Sequence, residues 1–320
     1  MTELFNKLKG AAFTAPLTVL AAAALTALSS KVVLQTPPNG AEDLLLTYVI
    51  LELLIFVLPG VFYAKCKQKG YAGQLHLISF GFSQLPFILL MTLVMATGAT
   101  LLGLLYGHFD LQFDSSATFW QDALLLSEGE LFASEKEVVL LSLTLAVVPA
   151  FAEEFLFRGV LLTEYSRYGV FPALLVTSLL FAIIHFDPLL FPVYFLAGMA
   201  LGYTAFATRS VFAAGVTHSL FNLYSFFVSP LVSNFISLEG GTVAVYYVVT
   251  VLFLICLMLA FGEGERLFAG YSFSGLSSPR RIQKTFAALH PAFEALSPTL
   301  LLCILLFILV ALKVIPSPNG

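Results

Sequence analysis

The sequence predicts an all-α fold, a polytopic transmembrane helix bundle of about eight to nine spans. Three observations carry that expectation. Only 11% of the residues are charged while 59% are hydrophobic, with a mean hydropathy of +0.95, whereas a soluble domain carries about 25% charged residues. Apolar runs recur that are long enough to cross roughly 30 Å of hydrocarbon. None of them alternates apolar and polar residues as a barrel strand does, and a bilayer admits only helices or closed barrels.

The first apolar run, from about Ala11 to Leu34, follows Lys7 and Lys9. It reads as a first span in preference to a cleaved signal peptide, because no clean small-x-small site ends it. The loop 36–43 precedes a second run from Leu44 to Ala64, closed by Lys65, Lys67 and Lys69. A third extends from about Leu75 to Tyr106, and the segment 107–137 is polar and acidic, with Trp120 expected at an interface. A fourth helix starts near Glu137 and reaches about Tyr165; a fifth covers Val170 to Phe186. Asp187-Pro188 then looks like an N-cap with proline in the first turn of a sixth, which ends at Arg209. A seventh is expected over Val211–Val228, an eighth over Val243–Gly262, and a last one over Leu296–Leu312.

An inside amino terminus places Lys7, Lys9, the Lys65 cluster, Arg167, Arg209 and the Arg280 region on one side, with the acidic segment on the other. The chain divides into N-terminal spans and an acidic loop (1–136), a core of motif-bearing helices (137–230) and C-terminal spans (231–320), all one integral membrane domain. The expected location is the plasma membrane. No basic patch suggests nucleic acid, and the expected partners are the bilayer and a peptide or protein substrate. Cys66, Cys256 and Cys303 form no CxxC or Cys/His cluster and read as membrane or interface filler.

Against this apolar background the stretch Phe151-Ala-Glu-Glu-Phe-Leu-Phe-Arg158 stands out. An ionisable group at bilayer depth costs at least about 2.5 kcal/mol, so three together require a structural or chemical reason. Each helical residue advances about 100°, so Glu154 and Arg158, four apart, share a face and can pair. Glu153 falls about 140° from Arg158 and is left to face a cavity. Structure thus claims Glu154 and Arg158, and chemistry has Glu153.

Two further pairs of polar or aromatic residues follow, Phe181-x-x-x-His185 in the fifth helix and His218-x-x-x-Asn222 in the seventh. Measured from the turn at Arg167, Glu153 and His185 lie about 21 and 27 Å along their helices, at similar depth. His218 lies only about 14 Å beyond Arg209, which sets it closer to the inner surface. His76, His108 and His290 read as interfacial, and Tyr165, Tyr168, Tyr203 and Tyr224 fit an aromatic belt at least as well as a substrate site.

Glu153-Glu154-x-x-x-Arg158, Phe181-x-x-x-His185 and His218-x-x-x-Asn222, in that order within membrane helices, resemble the CPBP family of intramembrane proteases. That family includes CAAX prenyl endopeptidases and proteins linked to bacteriocin processing and immunity. The resemblance implies a membrane peptidase in which Glu153 and His185 activate a water while His218 and Asn222 stabilise the oxyanion. Glu154 and Arg158 would hold their helix in place. Members are described as metalloproteases or as glutamate-dependent proteases, and Glu153, His185 and His218 are a donor set able to hold zinc with an open position. The HExxH spacing of zincins is absent.

The competing reading is a non-enzymatic membrane protein, such as a transporter subunit or an immunity factor, in which the same groups brace the bundle or line a polar pathway. Lone His or Asn residues in membrane helices commonly serve as interhelical hydrogen bonds. A transporter would usually show paired halves, and no internal repeat is evident here.

Overall fold

The computed structural model describes residues 11–35, 41–67, 71–108, 135–273 and 297–317. Lys7, Lys9, Lys69, Trp120, Arg280, Arg281, Lys284, His290 and nearly all of the acidic segment lie outside the described residues. Among those described there is no strand, and the protein is a helical membrane bundle. Six helical stretches are long and apolar enough to span a bilayer, and three shorter apolar ones lie over Pro16–Ser29, Val170–Ile184 and Pro298–Ala311.

In chain order the helices are α1 (Pro16–Gln35), α2 (41–66), α3 (Leu85–His108), α4 (135–165), α5 (Val170–Ile184), α6 (Phe191–Thr208), α7 (211–236), α8 (Gly241–Phe273) and α9 (Pro298–Ala311). α4, α5, α6 and α7 pack on one another, with α2 against α4 and α3 against α6, α7 and α8. Exposed apolar side chains such as Val248, Val251, Ile255 and Met258 line α8. In water such a face would be a liability, but against lipid tails it costs nothing.

Three helices widen from α to π geometry, over Leu53–Val57 in α2, Ser142–Val147 and Phe155–Leu161 in α4, and Tyr224–Val228 in α7. Three of these four stretches end two residues before a proline: Pro59, Pro149 and Pro230. Proline has no N–H to give the carbonyl four residues back, and its ring collides with that carbonyl. The carbonyls concerned belong to Ile55, Leu145 and Phe226, each inside its π stretch. Widening the turn relieves the collision while the helix continues, a common device at functional sites.

The third span starts later than the hydropathy suggested. Residues 71–84 form two short 3-10 turns joined by an extended strip, with His76 at φ 51°, before α3 begins. His76 therefore sits in a loop and opens no helix. The strip lies across the end of the bundle. His76 O accepts from Val211 N at 3.1 Å, Gln74 O from Thr163 Oγ1 at 3.4 Å, and Ile78 O from the hydroxyl of Ser210.

Two other boundaries move. α5 stops at Ile184, His185 follows as its cap, and Phe186 turns back at φ 51°. Asp187 Oδ1 accepts from the backbone N–H of Leu189 and Leu190, each at 2.9 Å, so it caps a turn and α6 opens later, at Phe191. α8 continues to Phe273, well beyond the expected Gly262, and α7 reaches Ile236. Tyr165 is fully buried and stands 6.0 Å from the ring of Tyr168, which removes it from any aromatic belt. Cys256 and Cys303 are buried, Cys66 is exposed, and all three are free.

Candidate active site

The site is built by α4, α5 and α7, with α6 behind it. Glu154 Oε1 accepts from Arg158 at 2.7 Å and from Nδ1 of His218 at 3.0 Å. Arg158 also donates to Gly198 O on α6 at 3.1 Å, and its guanidinium lies 4.5 Å over the ring of Phe181 on α5. Glu154 is fully buried and Arg158 nearly so. Two opposite charges, a carbonyl and an aromatic face thus share the cost of burial and tie four helices together.

His218 reaches this depth although its helix starts close by. Thr163 of α4 and Val211 of α7 both rest on the 71–84 loop, so that loop is the common level from which depth is counted. Glu154 is nine positions from Thr163 and His218 seven from Val211, about 14 and 11 Å along the helices. The apparent mismatch came from counting from Arg167, which lies beyond the loop.

Phe181 stands at the middle. Its ring is 5.0 Å from His185, 5.8 Å from His218 and 5.2 Å from Phe157. His185 Nδ1 lies 2.7 Å from Phe181 O, and the imidazole stacks on Tyr194 of α6 at 3.7 Å and 19°. A carbonyl can only accept, so Nδ1 carries the proton and Nε2 is the basic nitrogen. Asn222 Nδ2 donates to Ala146 O at 3.2 Å, within the π stretch ahead of Pro149.

Glu153 is different. It is 9% exposed, and its Oε2 is buried with no hydrogen-bond partner. Neither imidazole nor Asn222 bonds to it directly; His185, His218 and Asn222 are instead held by Phe181, Glu154 and Ala146. The structure thus joins residues of the three motifs through Glu154, Arg158 and Phe181 and leaves the neighbouring carboxylate of Glu153 without a donor.

Two residues were missed at the sequence level. Tyr194 fixes the plane of His185, and no motif spacing points to it. Glu52, the one carboxylate inside the second apolar run, also has a buried Oε2 without a partner. The rule that singled out Glu153 would have found it.

As arranged, Glu153, His185 and His218 do not make a metal-holding group. Among the described residues no three His, Cys, Asp or Glu side chains come close enough to hold an ion. An apolar cleft of about 520 Å³ lies between the 71–84 loop and α4 and α7, lined by Phe80, Phe82, Phe151 and Phe212 among others. Phe151 sits two residues from Glu153, about 200° round the helix, so this cleft opens away from the carboxylate.

Residues 135–224 match the family model described as type II CAAX prenyl endopeptidase Rce1-like, a stretch that takes in every motif residue from Glu153 to Asn222. Neither the curated proteins nor the solved structures return a match to the chain. The family match supports an intramembrane endopeptidase in general.

Proposed function

Because residues 135–224 carry an Rce1-like domain of the CPBP intramembrane-protease type, we propose that this chain hydrolyses a peptide bond within or beside the cell membrane, with Glu153 as general base. The observation that carries the reading is the state of Glu153: nine-tenths buried, with an oxygen that no protein donor satisfies, next in the chain to the Glu154 that orients His218. A carboxylate committed to bracing would be bonded, as Glu154 is.

In this reading Glu153, assisted by Nε2 of His185, draws a proton from a water whose oxygen adds to the substrate carbonyl. The carbonyl electron pair moves to oxygen, where His218 and Asn222 supply hydrogen bonds. To donate from Nε2 as well as Nδ1, His218 must carry both protons; Glu154 is shared with Arg158, so the three groups together then hold one net positive charge for the developing oxyanion. Collapse of the tetrahedral species sends the C–N electron pair to nitrogen, which takes up the proton held by Glu153. Glu154 and Arg158 hold α4 and orient His218. No step is routed through a metal ion.

The test is cleavage of fluorogenic peptides, with and without a prenylated C-terminal cysteine, by purified protein in liposomes. Wild type is expected to cleave, and Glu153→Gln to lose about 10²-fold or more in rate with its melting curve retained. Wild type without cleavage of any peptide would leave the bracing role as the better account.

A further inference from the structure

Glu52 lies outside all three motifs and outside the matched segment 135–224. It ends the turns Ala41–Glu52 of α2, where the π stretch Leu53–Val57 begins, and both pieces pack against Val148–Glu154 of α4. Glu52 is fourteen positions from Cys66 and Glu153 twelve from Tyr165, about 21 and 18 Å along their helices, so the two carboxylates stand at similar depth.

Both carry a buried Oε2 that no protein donor satisfies. Arg158 is engaged by Glu154, Gly198 and Phe181. Buried acceptors left without donors are expensive, so two of them at similar depth on packed turns call for a ligand that brings a donor to each. A water molecule has two O–H groups. Donating one to each carboxylate fixes its rotation and turns its lone pairs towards a third direction, as an attacking water requires.

We propose that Glu52 is a second catalytic carboxylate, which together with Glu153 holds the water that attacks the substrate carbonyl. This rests on the endopeptidase reading. In the step, the water O–H bonded to Glu153 breaks and its proton passes to that carboxylate. The water oxygen forms the new bond to carbon, and the second O–H stays donated to Glu52 throughout. When the C–N bond breaks, nitrogen leaves with the electron pair and takes the proton from Glu153, so both carboxylates return to their starting states.

The experiment compares wild type, Glu52→Gln, Glu52→Leu, Glu153→Gln and the double variant Glu52→Leu/Glu153→Gln on the same fluorogenic peptides in liposomes, with melting curves for each. Since no protein donor binds Glu52 Oε2, Glu52→Leu is expected to melt no lower than wild type. Its kcat should fall about 10²-fold with KM changed less than about twofold. Glu52→Gln, which keeps one acceptor oxygen, should lie between, and the double variant should be no slower than Glu153→Gln, because both groups act on one water. If Glu52→Leu keeps kcat within about twofold of wild type while Glu153→Gln is inactive, the role of Glu52 is overturned and the peptidase reading stands. A lowered melting temperature with unchanged kcat overturns it equally, by making Glu52 a packing residue. Wild type without cleavage defeats both readings together.

Discussion

One oxygen of Glu154 accepts Nδ1 of His218 at 3.0 Å while also holding Arg158 at 2.7 Å. The ion pair that braces α4 therefore also sets the ring of a residue assigned to the oxyanion. Bracing and chemistry meet at this atom, and the consequences can be measured.

Replacing Glu154 with Ala leaves Arg158 buried and uncompensated, which typically costs about 3–5 kcal/mol. Thermal unfolding in detergent should show a large drop, and cleavage should fall further than the lost fold explains. Glu154→Ala with wild-type melting would mean that Arg158 does not depend on this pair.

Gly198 lets α5 and α6 touch. A Cβ there would stand 2.9 Å from both Cα and Cβ of Ser178, and backbone cannot swing aside. Gly198→Val is expected to lose about 1–3 kcal/mol by overpacking. It should also disturb Arg158, whose guanidinium bonds to Gly198 O. Unchanged stability would show that α5 and α6 separate without penalty.

Tyr194 holds the imidazole of His185 by its face. Tyr194→Leu should lower kcat with little change in KM, and Tyr194→Phe should restore most of the rate because the ring is retained. If the phenylalanine variant is as slow as the leucine one, the hydroxyl matters and the stacking does not.

Pro149 accounts for the π stretch that presents Ala146 O to Asn222. With Pro149→Ala the helix regains a donor and can rewind to α geometry, turning that carbonyl away. Lower activity is expected in a protein at least as stable as wild type, with Asn222→Ala adding little to the loss. Full additivity of the two substitutions would separate Pro149 from Asn222.

The proposed chemistry uses carboxylates and imidazoles that form no three-donor metal group. Protein stripped with a strong chelator should keep its cleavage rate, and elemental analysis should find zinc well below one per chain. Activity lost on stripping and restored by zinc would require the side chains to rearrange around an ion.

The composition and the apolar runs were enough to determine a helical membrane bundle, because the bilayer forbids almost every alternative. Four-residue spacing likewise exposed the Glu154–Arg158 pair and left Glu153 over, since the helix itself sets which side chains share a face. Local signals misled where tertiary structure changed the helix: hydropathy carried α3 back to Leu75, although the strip from His76 is extended and anchored by α4 and α7. The prolines at 59, 149 and 230 were visible throughout, yet only neighbouring helices decide whether such a residue ends a span or widens it. Partners across the bundle were beyond reach of spacing altogether. That His218 meets Glu154, that Tyr194 backs His185, and that the turn ending at Glu52 packs on the turn ending at Glu154 all depend on the relative height and rotation of packed helices, which are set by contacts such as Gly198 on Ser178 and by the loop on which α4 and α7 rest.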